Sequence, residues 1–379
     1  MSNNLTGLIP TLYEALDTTS REMTGFIPAV NRDNNVARAG LGQVVRSPIA
    51  KAGDLEDIVP GQLPKNSGET QTDYADVKIE HSKAAPIVWN GEEVKAVNHN
   101  GVGYNRLLAD QFSDAMRKLV NAVERDIAQK ATVGAMLAYG TAGKTPFGTA
   151  GDLEDFAQIS KLLDDNGAPV SARQLVLNSA AMANLRGKQS VLFKVNEAGS
   201  EDMLRTGYTD LVQNFALRYS GGIMAHTAGQ GTGYTTAATA QHLKNIALKA
   251  GSGSLNAGDI VGLGGVQYVL GGNTASKSDG LKLNGGLLAA VEDGAAITPF
   301  GTYTPNFAFD RNAIVLATRA PALPDGGDNA DDAMMLTDPL TGLSFEVRVY
   351  RQYRQVKYEV ALAWGVAVMK PEHLAILAH

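Results

Sequence analysis

From Tyr104 to Val133, apolar residues recur at steps of three and four: Leu108, Phe112, Ala115, Met116, Leu119, Val120, Val123, Ile127 and Ala131. Asp110, Asp114, Arg117, Lys118, Glu124, Arg125 and Lys130 populate the other face, and neither Pro nor Gly interrupts the run. This spacing predicts one amphipathic helix of about 30 residues, roughly 45 Å long, more than twice the usual ~11–12 residues. Its reach is set at 104–138. The C-terminal third reads as strand instead. Met334-Met335-Leu336 faces Phe345 to Val349 across the turn set Asp338-Pro339-Leu340-Thr341-Gly342, and Val356 to Val368 alternates. Apolar parity is odd from 345 to 353 and even from 356 to 368. A bulge or turn near Gln352–Gln355 must separate the runs, because a one-residue slip flips the buried face.

The remainder is patterned less strongly. Leu5, Leu8, Ile9, Leu12, Leu16 and Met23 have loose helical spacing, with Pro10 tolerated in a first turn. From 40 to 85, Pro and Gly punctuate short runs such as 43–46 and 76–80. Helix is disfavoured there, leaving a functional loop, a disordered segment or a long two-stranded excursion. Residues 140–225 mix helices and short strands: an acidic first turn at Asp152–Asp155, a buried strand at Leu175–Asn178 and a short helix from Ser179. Residues 226–300 alternate in short pieces with frequent turns, as in a small all-β module.

The chain has 379 residues, enough for two or three lobes without a disulfide or metal staple. Its 41 glycines favour a β-rich protein with some helix. Zero cysteines exclude disulfide scaffolds, Cys-ligated zinc, iron–sulfur clusters and thiol catalysis, and fit a reducing cytoplasm. Lys+Arg of 33 against Asp+Glu of 39 leaves −6, so no global field gathers nucleic acid. No apolar run approaches a membrane span, and the first residues do not read as a signal peptide.

Candidate chemistry is sparse. Ala138 to Thr145 imitates a phosphate-binding loop, GxxxxGK[ST], ending at Lys144. Ala138 replaces the first glycine, a long helix precedes it, and Pro146-Phe147-Gly148 follows, so a Gly-rich helix stop is the better reading. The histidines 81, 99, 226, 242, 373 and 379 include no pair at zinc-ligand spacing, and no GxSxG elbow occurs. Acidic clusters at 54–57, 152–155 and 325–332 match no calcium loop and read as helix caps and solvated loops. Arg348, Arg351, Arg354 and Lys357 interleave with Tyr350, Tyr353 and Tyr358. Their spacing sends successive cations to opposite faces of a strand, which favours cross-strand pairing over a nucleic-acid stripe. No catalytic, cofactor-binding or metal-ligating residue is assigned.

Phe309–Arg319, Asp338–Arg348 and Tyr358–Gly365 together resemble the coat proteins of tailed double-stranded DNA phages, the podophage type with an insertion domain most of all. The resemblance over 1–225 lies in the order of elements. It implies the tailed-phage capsid fold, α+β: an N-terminal arm (1–40), an extended loop (41–85), a peripheral domain with a spine helix (86–140), an axial domain (141–225), a β-rich insertion domain (226–300) and return strands of the axial and peripheral domains (301–379). It implies a structural subunit, not an enzyme, that builds hexamers and pentamers of an icosahedral shell. The expected partners are further copies, a scaffolding protein, a portal protein and packaged double-stranded DNA on the inner face, with no membrane. The expected place is the virion capsid, assembled in the host bacterial cytoplasm. The rival readings are a β-rich tail or receptor-binding protein and a nucleotide-binding enzyme using Lys144.

Overall fold

The computed structural model describes residues 8–20, 24–50, 60–61, 72–99, 104–189, 211–338 and 341–379. Two sheets and one long helix organise them into an α+β fold. Helices α1 (Ile9–Ser20), α2 (Gly91–His99), α3 (Tyr104–Gly134), α4 (Glu154–Asp165) and α5 (Ser179–Lys188) are the α-helices among the described residues.

The six-stranded sheet is built on Gln355–Val368. Its first ten residues pair with His81–Asn90, residues 355–361 also pair with Ser344–Gln352, and residues 363–368 pair with Ile314–Pro321. Asn31–Ala39 adds a parallel edge and Asp332–Thr337 closes the other side. The parity switch is a tight hairpin: Gln352 pairs with Gln355, Arg354 takes φ 58°, and Tyr353 is 90% exposed at the tip. That turn puts Val347 opposite Val360 and Val349 opposite Tyr358, so both runs bury the same face.

Helix α3 lays its apolar stripe on that face. Phe112 meets Tyr358 edge-on at 5.6 Å, and Met116, Leu119, Val123 and Ile127 join one core with Phe345, Val360, Leu362 and Trp364. Helix α1 covers α3 through Leu12, Ala15 and Leu16. The helix is shorter than the predicted 104–138. It ends at Gly134, where a side chain would meet Val368 at 2.5 Å, and Asn284 Nδ2 donates to the Ala135 carbonyl at 2.7 Å. Leu137–Gly140 is a buried strand.

That strand belongs to the nine-stranded sheet, whose middle runs 266–269, 137–140, 374–378, 305–310, 173–177, 215–219. Helices α4 and α5 cover one side through Phe156, Ile159, Leu163, Met182 and Leu185. The 226–300 segment is β-rich, as expected, with its own core of Tyr234, Ile246, Leu255, Leu281 and Leu287. It is joined by pairing rather than hung on a linker: Gln267 pairs with Ala138 and Tyr268 with Leu137. Its strands make short two- and three-stranded patches, and no closed barrel forms among the described residues.

Candidate functional site

Val44–Ala50 and Thr72–Lys78 form an antiparallel hairpin with seven register pairs, from Val44↔Lys78 to Ala50↔Thr72. Among the described residues of 40–85, a two-stranded excursion is present. At ~3.3 Å per residue the paired part is about 23 Å long. Among the described residues its core lies at the root, where Val77 and Ile79 pack with Ala39, Val315, Ala317 and Ala363. Val44, opposite Lys78 at the root, and Tyr74, further out, are exposed, and Arg46 pairs with Asp76 at 3.2 Å above the Tyr74 ring. The connecting stretch, including Lys51, the acidic cluster 54–57 and Lys65, lies outside the described residues apart from residues 60 and 61. An isolated two-stranded ribbon is marginal in water, so this one calls for a surface to lie on.

The root is locked to the body. Lys130 Nζ meets Glu80 at 2.6 Å, His81 Nε2 meets Asp126 Oδ1 at 3.3 Å, and the Trp364 indole N–H donates to Asp126 Oδ2 at 3.1 Å. Gly365 lets the chain after Lys78 cross flat on the sheet, since a Cβ there would lie 2.0 Å from the Lys78 carbonyl oxygen.

A second joint lies under the segment that follows α1. Glu124, placed on the polar face by periodicity, is 2% exposed. Its carboxylate accepts from the backbone N–H groups of Phe26 (3.0 Å) and Ile27 (2.8 Å) and from Ser220 Oγ (2.6 Å). Burial pushes its pKa above the ordinary carboxylate value, and the donated hydrogen bonds from Ser220, Ile27, Phe26 and Gly25 pull it back only in part. One side chain on α3 thus ties the turn at Phe26–Ile27, the long helix and the end of strand 215–219 together.

The other sequence candidates resolve into structural roles. A strand, not the long helix, directly precedes Gly140, which corrects the reading of the Lys144 motif. No helix follows until Glu154, and the 520 Å³ hollow beside Lys144 is lined by Asp152, Glu154 and Asp155. Burial, with Asp152 and Glu154, raises the Asp155 pKa against the hydrogen bond it accepts from Phe147 N–H. A phosphate would meet carboxylates there. His226 Nε2 pairs with buried Asp259 at 2.7 Å, and no group of metal-holding side chains occurs among the described residues. The basic and acidic clusters of the C-terminal third meet each other: Arg351 pairs with Asp331 at 3.1 Å, Arg348 with Glu346 at 2.8 Å and with Asp328, and Tyr350 donates to Asp328 at 2.7 Å. These pairings, and Lys357–Glu359 at 2.6 Å, engage Arg348, Arg351 and Lys357, so the loop 325–332 is not simply solvated.

No family model matches the chain, and no curated protein matches it. Solved structures do. One is a chain of Mycobacterium phage Che8, 13% identical, covering 89% of this chain and 84% of that chain with a TM-score of 0.44. Another is from the capsid structure of the cyanophage P-SCSP1u, at 12% identity, 91% and 85% coverage and TM-score 0.46. A third is from a virus-like particle of Pyrococcus furiosus, at 9% identity, 97% and 98% coverage and TM-score 0.45.

Proposed function

We propose that the chain is a major capsid subunit of a tailed double-stranded DNA phage, assembling into hexamers and pentamers of an icosahedral shell. The observation that carries this reading is the ribbon of strands 44–50 and 72–78: its root is locked, its core among the described residues lies at that root, and Val44 and Tyr74 are exposed. Such an arm gains stability by lying on a neighbouring copy. The ~46 Å rod of α3, spanning both sheets, suits a subunit that carries load between neighbours. The C-terminal strings that resemble phage coat proteins, including the podophage type, point the same way. In this reading the subunit performs no catalysis, and the carboxylates beside Lys144 argue against nucleotide chemistry. A scaffolding protein, a portal protein and packaged DNA are its further partners, and assembly takes place in the bacterial cytoplasm. Electron microscopy of the purified chain, alone and with the scaffolding protein of its phage, tests this. Shells or capsomers are the expected result; a compact monomer at every salt concentration would refute it, and trimers alone would favour a tail protein.

A further inference from the structure

The face of the six-stranded sheet turned away from α3 carries charge. Val347 and Val349 pack with α3, so Glu346, Arg348 and Tyr350 alternate to the far side. Glu346 is 2% exposed and Arg348 6%, and the loop 322–331 lies against Arg348 and Tyr350. No residue of that loop is buried, so apolar packing contributes little to holding it. Polar contacts hold it instead. At its start Arg38 Nη1 donates to the Pro321 carbonyl at 2.8 Å. In its middle Asp328 accepts from Arg348 and, at 2.7 Å, from the Tyr350 hydroxyl. At its end Asp331 pairs with Arg351 at 3.1 Å, and its N–H donates to the Val349 carbonyl at 2.8 Å. Gly326 and Gly327, at φ 93° and 86°, form the bend.

Behind Asp328 the contacts continue. Glu346 Oε1 accepts from Arg348 Nη1 at 2.8 Å and from Arg38 Nη2 at 2.6 Å, and Glu346 Oε2 accepts from Arg38 Nη1 at 3.1 Å. Arg38 belongs to the edge strand Asn31–Ala39. Four charges of alternating sign therefore connect that strand to the loop: Arg38, Glu346, Arg348 and Asp328. Arg348 has nothing in reserve. Its Nε is buried without an acceptor among the described residues, while Nη1 and Nη2 are spent on the two carboxylates. The neighbouring Lys357, over the Tyr350 ring at 5.5 Å, is taken by Glu359 at 2.6 Å.

Removing the charge at either end unbalances the series. Without Arg38, two carboxylates share one guanidinium and repel each other, which weakens the hold on Asp328. Without Asp328, two guanidiniums share Glu346, which weakens the hold on Arg38. Salt and water screen such terms little where Glu346 and Arg348 are buried. We propose that loop 322–331 is a polar strap whose closure is coupled, through Glu346 and Arg348, to the docking of strand 31–39. Lifting the strap uncovers Arg348 and Tyr350, so the seating of the edge strand sets whether these two side chains are open to solvent. The coupling runs equally in both directions by linkage. It goes beyond the capsid reading and does not depend on it.

Hydrogen exchange of the full chain as free subunit, read by mass spectrometry on peptides covering 323–331 and 31–39, tests this. Asp328 bonds to Arg348, Tyr350 and the Ala330 N–H, none of them in strand 31–39. Asp328→Asn should nevertheless speed exchange in that strand roughly threefold to tenfold. Arg38→Met should do the same to Gly327–Asp331, beyond the Pro321 carbonyl that Arg38 also holds. The double variant keeps the neutral Glu346–Arg348 pair, so its acceleration in either segment should fall below the product of the two single factors. Arg38 and Asp328 are both partly exposed, and the variants should fold; should one not, Arg38→Gln or Asp328→Ser takes its place in the same measurement. An Asp328→Asn protein whose strand 31–39 exchanges like the parent, or single factors that multiply in full, would overturn the coupling. Parent strap amides that exchange as fast as an unstructured peptide would overturn the strap itself.

Discussion

Replacing Glu124 by alanine removes the acceptor shared by the arm and the end of strand 215–219. Phe26 N–H, Ile27 N–H and Ser220 Oγ–H lose their partner in a site where Phe26 and Ile27 are fully buried. Each orphaned buried donor costs about 1–3 kcal/mol, and three of them give roughly 3–9 kcal/mol, less if water enters beside Ser220. Against a typical stability of about 5–15 kcal/mol, that is a large share. Urea denaturation followed by circular dichroism reads it directly. A loss under about 1 kcal/mol would show that the carboxylate is not holding the joint. The same group makes stability depend on pH. Its folded pKa is raised, so the folded chain binds the proton more tightly than the unfolded chain, whose value is near 4.5. The contribution of Glu124 to stability is thus most favourable below that value and declines as pH rises through the window up to the raised folded value. Glu124→Gln has no such proton. Across that window the parent should lose stability relative to the glutamine variant as pH rises; parallel curves would refute the raised pKa.

Leu119→Asp places a carboxylate among Phe112, Val123 and the sheet residues they cover, and should cost at least about 3 kcal/mol, read as insolubility or a collapsed melting transition. Gly365→Ala drives a methyl group into the Lys78 carbonyl and should cost about 1–3 kcal/mol, with faster proteolysis at the hairpin root as the specific sign. Lys144→Ala, at an exposed position beside three carboxylates, should change stability by less than about 0.5 kcal/mol, and calorimetry should find no nucleotide binding in either protein.

Much of this architecture was legible in local pattern. The α3 stripe, the 332–368 meander and its parity switch each depend on residues a few positions apart, and their period alone selects helix or strand and the buried face. What escaped that reading was non-local. Leu137–Gly140 looks like the tail of a helix until Ala375–Ala378 and Gln267–Tyr268 supply its pairing partners from far along the chain. A four-residue apolar run carries too little periodicity to choose between the two states. Glu124 sits at a polar position in the heptad-like spacing, yet Phe26 and Ser220 fold over it from either side and turn a surface charge into a buried tie. Side-chain period is written in neighbouring residues. Burial, pKa and charge clustering depend on which distant segments come to lie against them, and the tertiary structure alone decides that.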